Sequence, residues 1–105
     1  MTKYKNLFYH EDLENLTEEI VFQEIHALTE SGHEFCRCDG CIQDIAAIVL
    51  NRVAALYCCS PLEKVFPGES FRIRINEIKE LVKQELPKAI DTVTMYSHHL
   101  PEDEA

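Results

Sequence analysis

The chain has 105 residues and carries 19 Asp and Glu against 10 Lys and Arg, a formal net charge of −9. That length suits one domain with a single modest core, and the negative field repels nucleic acid and anionic lipid, so DNA binding and membrane association are set aside. No stretch approaches the roughly 20 apolar residues of a membrane span, and the first ten residues lack the apolar run of a signal peptide, which predicts a cytoplasmic protein.

The elements follow from spacing. Residues 1–14 read as an N-terminal extension. Asn15-Leu16-Thr17-Glu18 has the form of a capping box, so a helix is expected to start there. Its apolar positions Leu16, Ile20, Val21, Ile25 and Leu28 share one face, and Ser31-Gly32 supplies a left-handed stop. A polar loop with three cysteines follows. From Ile42 the apolar set Ile45, Ala46, Val49, Leu50, Val53, Leu56 and Tyr57 recurs at three and four, predicting a second helix that runs until Ser60-Pro61 ends it. Pro67-Gly68 marks a turn. The segment 71–75 alternates like a strand, but the spacing Ile75, Ile78, Leu81, Val82, Leu86, Ile90, Val93 argues for one long third helix interrupted only by Pro87. Residues 97–105 form an acidic tail. The fold class is therefore all-α, a single small domain of about three main helices.

Cys36, Cys38 and Cys41 lie within six positions, directly before the second helix. Thiolates so close in sequence can converge on one soft metal ion, and Gly40 offers the backbone freedom to aim them. In a reducing compartment, five cysteines in a short chain point to metal or redox chemistry and away from a disulfide framework. A structural zinc ion wants four ligands, and three are present. His33, three residues upstream, is the candidate for the fourth, with Asp39 and Glu34 weaker choices. Cys58 and Cys59, at the far end of a straight second helix, would stand about 25 Å from Cys41 at 1.5 Å per residue, so they are read as packed side chains that could complete the site only from an antiparallel partner chain or a fold-back. Arg37 between two thiols also fits a redox switch, because a neighbouring cation favours the thiolate.

The run Cys36-x-Cys38-x-x-Cys41-x-x-Asp44-Ile45-Ala46-Ala47-x-x-Leu50-Asn51-Arg52-x-x-Ala55-x-Tyr57 resembles the late competence development protein ComFB family. The resemblance implies a small, all-helical, non-enzymatic homodimer, packed or intertwined. Some members hold zinc through cysteines, and one branch serves as receptors for cyclic di-GMP. Leu50-Asn51-Arg52, Ala55-Leu56-Tyr57 and Ser60 match that branch, whereas Cys38 and Cys41 stand where it carries basic residues.

A dianionic dinucleotide on so acidic a chain needs locally gathered cations. Arg52, Arg37 and Lys64 are the candidates, with Arg72 and Arg74 behind them. Asn51 and Ser60 offer hydrogen-bonding groups and Tyr57 a stacking ring. No Gly-x-Ser-x-Gly, phosphate-cradling glycine loop or His-Glu-x-x-His occurs, so no enzyme is expected. The reading from sequence is a regulatory binding module with zinc and a possible cyclic di-GMP site. The competing reading is a zinc-stabilised structural adaptor for a protein partner.

Overall fold

The structure is a computed structural model and describes residues 13–59 and 66–96. Its described elements, in chain order, are β1 (Glu14–Asn15), α1 (Leu16–Glu30), α2 (Asp39–Leu50), β2 (Tyr57–Cys58) and α3 (Glu69–Met95). The three helices pack on one another around a single core, with Val21 of α1, Ile45 and Val49 of α2, and Val82, Leu86 and Ala89 of α3 sealed from solvent. Each Val, Leu or Ile side chain so removed from water contributes about 1.5–3 kcal/mol, which is what holds the three helices together.

α1 begins and ends where the sequence places it. Asn15 is the N-cap in extended geometry, and its Oδ1 accepts from the Thr17 N–H at 3.2 Å. At the other end Ser31 is the C-cap and Gly32 takes φ 83°, with the Gly32 N–H donating to Thr29 O and the His33 N–H to Leu28 O. These two bonds form a Schellman closure, which requires a left-handed residue that glycine adopts without strain.

α2 departs from expectation at both ends. It starts at Asp39, three residues early, and stops at Leu50, well short of Ser60-Pro61. The last turn closes through Asn51 N–H to Ala47 O, Arg52 N–H to Val49 O and Val53 N–H to Val49 O. The chain then returns along the start of α1. Val53 and Leu56 are buried, but by this returning segment and not by a helical face. Asn15 Oδ1 accepts a second bond from Leu56 N–H at 2.9 Å, Leu16 N–H donates to Leu56 O at 2.7 Å, and the buried Thr17 hydroxyl donates to Ala54 O at 2.8 Å. β2 pairs antiparallel with β1, Glu14 opposite Cys58 and Asn15 opposite Tyr57. This two-stranded ribbon is an addition to the all-α reading, and it draws Glu14 out of the supposed extension into the folded domain.

α3 is one helix, as expected, and it continues through Pro87, which gives no N–H to the Lys83 carbonyl. Its buried residues begin only at Ile78. No side chain of its first nine residues, 69–77, is fully buried, although Phe71 and Ile75 pack half-buried against the core. None of the described helices is long and apolar enough to cross a membrane.

Candidate metal centre

The loop between α1 and α2 gathers three thiols. The sulfurs of Cys36, Cys38 and Cys41 all lie within 4.8 Å of one another, and no other group of three or more His, Cys, Asp or Glu ligands forms among the described residues. Cys36 is exposed, Cys38 half-buried and Cys41 buried, so the cluster runs inward from solvent to the edge of the core. None of the five cysteines is in a disulfide.

Local folding explains the convergence. Cys38 is the N-cap of α2, and its Sγ accepts from the Cys41 N–H at 3.4 Å. A thiol takes the place of the usual Ser or Asp oxygen at the cap, and the cap-to-third-residue spacing sets Cys38 and Cys41 side by side. Gly40 is not the tight turn expected of it: it lies inside the first helical turn, and the left-handed glycine is Gly32. The N-terminal dipole of α2 favours negative charge on the sulfurs.

Without an ion the cluster resists ionisation at its inner end. Burial, first, and then hydrogen bonding with and the charges of Cys36 and Cys38 push the Cys41 thiol from 9.0 up to about 12. A cation would reverse this, since a coordinating thiol is deprotonated outright. The distances suit one. With Zn–S bonds near 2.3 Å a tetrahedron has edges of about 3.8 Å, so these sulfurs need to close in by at most about 1 Å.

Arg37, between the first two cysteines, anchors the loop. Its Nη2 donates to Thr29 O at 3.4 Å and His33 O at 3.3 Å, and its guanidinium lies 5.8 Å from the centre of the Phe35 ring. Phe35 in turn packs against the core. The cation thus sits on the carbonyl end of α1, where the helix dipole welcomes it. His33 is exposed with its ring 6.0 Å from that of Phe35, and it is not brought into the thiol group. Asp39 and Glu34 are likewise outside it.

Among the described residues the nucleotide candidates Arg37, Asn51, Arg52 and Tyr57 are not gathered at one place in the chain. Arg52 pairs with Glu85 at 3.4 Å, a carboxylate that also takes Lys88 at 3.4 Å, and so ties the end of α2 to α3. Asn51 is the exposed C-cap of α2 beside it. Arg37 precedes α2 and Arg52 follows it, which separates them by about 18 Å at 1.5 Å per residue. Tyr57, 62 % exposed, faces Glu14, Glu18 and Glu19 across a groove instead of a cationic patch. Ser60 and Lys64 lie outside the described residues. Cys58 is buried in the ribbon and Cys59 is exposed; the straight helix that was to hold them 25 Å away does not exist, yet neither joins the thiol cluster.

The model of the late competence development protein ComFB family matches residues 14–97. The chain belongs to the ComFB family. No curated protein and no solved structure matches significantly. The match begins at the first residue of β1 and takes in all three helices, so the ribbon, which the helical reading overlooked, falls within the ComFB unit. In this ComFB chain a thiol cap was also overlooked, although its signal was legible: Cys38-x-x-Cys41 directly before an apolar-striped run has the spacing of a cap and its partner.

Proposed function

We propose that this ComFB chain is a non-enzymatic regulatory binding module whose α1–α2 loop is stapled by a zinc ion on Cys36, Cys38 and Cys41. The mutual approach of the three sulfurs at a helix N-terminus carries the reading. Thiolates select soft or borderline ions, and zinc adds no redox chemistry of its own, which suits a structural role. His33, exposed on the same loop, is the candidate for the fourth corner. The test is competition for zinc against a chromophoric chelator. The unchanged chain should take about one zinc ion, Cys38→Ser and Cys41→Ser should each weaken binding at least a hundredfold, and His33→Ala should weaken it less. Equal binding by all variants would refute the assignment.

Two copies of the chain form the working unit in this reading. The start of α3, where Ile73 is more than half exposed and no side chain of residues 69–77 is fully buried, supports it, because a second copy could cover this face.

Exposed Asn51 and Arg52, side by side at the end of α2, favour a second reading as a cyclic di-GMP receptor. A dianion there competes with Glu85 for Arg52, and Lys88 on the same carboxylate is the neighbouring cation, whereas Arg37 lies beyond the far end of α2. Calorimetry of cyclic di-GMP against the chain and against Arg52→Ala separates the readings. Heat lost in the variant supports the receptor, and no heat with either leaves the zinc-stapled adaptor.

A further inference from the structure

We propose that the groove between β2 and the start of α1 docks a cationic amphipathic helix of a partner protein. This inference stands apart from the metal centre. Three apolar side chains line the groove while remaining largely in water: Leu13 at 44 % exposure, Phe22 at 45 % and Tyr57 at 62 %. They come from three different places, the lead into β1, the second turn of α1 and β2. A concave, open surface shared by three separated apolar residues differs from apolar side chains scattered singly on a surface.

The groove is built, because its walls are tied to each other. Asn15 Oδ1 holds both the Thr17 N–H and the Leu56 N–H, and Asn15 pairs with Tyr57 across the ribbon. The backbone carrying Tyr57 is therefore fixed against the helix that carries Phe22. A ligand finds the cleft already formed, which lowers the ordering cost of binding.

Charge names the occupant. Glu18 and Glu19 line the groove with Glu14, no Lys or Arg does so among the described residues, and neither Glu18 nor Glu19 is in an ion pair there. Their position in the first turn of α1 suits the helix dipole, which accounts for the carboxylates but not for the apolar trio beside them. Glu18 and Glu19 precede Phe22 by four and three residues, so both stand one helical turn from its ring, about 5–6 Å along the surface. The complementary ligand presents Lys or Arg one turn from Leu or Phe, which is the pattern of a basic amphipathic helix. A second copy of this chain is disfavoured, because a two-fold contact through this face sets one acidic groove, with its Glu14, Glu18 and Glu19, against another.

The experiment uses the full chain and two synthetic 14-residue helical peptides sharing a Leu face, one with Lys and one with Glu on the flanks. Amide shifts should move with the Lys peptide at Leu13, Asn15, Phe22 and Tyr57, with affinity in the tens of micromolar, and should not move with the Glu peptide. Phe22→Ser should weaken the Lys peptide at least tenfold, while Leu81→Ser, at a similarly exposed apolar residue on α3, should leave it unchanged. Glu18→Lys with Glu19→Lys should shift the preference to the Glu peptide. Shifts spread over the whole acidic surface, equal binding of both peptides, indifference to Phe22→Ser, or a self-association abolished by Phe22→Ser would each overturn the proposal. The peptide comparison needs no variant, so a misfolded mutant does not spare it.

Discussion

Replacing Asn15 by Ala removes one oxygen that serves two elements. Its Oδ1 caps α1 through Thr17 N–H at 3.2 Å and pins the returning segment through Leu56 N–H at 2.9 Å. Loss of an Asn cap costs about 1 kcal/mol. The second loss is larger in kind: Leu56 is buried, so its N–H is stranded with little access to water, at about 1–3 kcal/mol. The sum is roughly 2–4 kcal/mol, against a total stability for a domain of this size of about 5–15 kcal/mol. Urea unfolding should show the midpoint falling with an unchanged slope, and the Leu56 amide should exchange much faster than those in the middle of α3. Asn15→Asp keeps an acceptor in place and should lose less than about 1 kcal/mol. A loss below about 0.5 kcal/mol for the Ala variant, or equal losses for Ala and Asp, would refute the double role.

Metal affinity should fall on acidification, by up to about tenfold per pH unit for each thiol that must lose a proton, as read by chelator competition between pH 8 and 6. The metal-free chain has the opposite sensitivity. Because the folded Cys41 pKa is raised from 9.0 to about 12, its contribution is intact below about pH 9 and is lost as pH rises towards 12. Alkaline unfolding followed by circular dichroism should show Cys41→Ala without this component. Leu86→Ala, at a sealed core position, should cost about 2–5 kcal/mol by urea unfolding. Arg52→Ala breaks a partly exposed ion pair and should cost under about 1 kcal/mol in the same assay.

The parts of the fold legible in the sequence are those fixed by local chemistry. Asn15 begins α1 with its own side chain, Ser31-Gly32 ends it with a backbone shape that glycine favours, and Pro67-Gly68 places the start of α3 one residue later. The end of α2 was not legible for the opposite reason. Val53, Leu56 and Tyr57 continue the three-and-four spacing, and nothing local at Asn51 or Arg52 forbids a helix. The competing structure is made by partners 37 to 41 residues away, Thr17 to Ala54 O and Asn15 to Leu56 N–H, which periodicity does not see. The same distinction runs through the site. The thiol trio was visible because its members are close in sequence, whereas the carboxylates facing Tyr57 follow from where α2 stops.

The central claim is that Cys36, Cys38 and Cys41 share one metal ion, and thiol alkylation mapped by mass spectrometry with a metal count on the same sample tests it most directly. The account predicts about one zinc per chain, prompt labelling of exposed Cys59, and protection of all three cluster thiols, including exposed Cys36, until a chelator is added. Protein without metal, in which Cys36 labels as fast as Cys59 and chelator changes nothing, would contradict it.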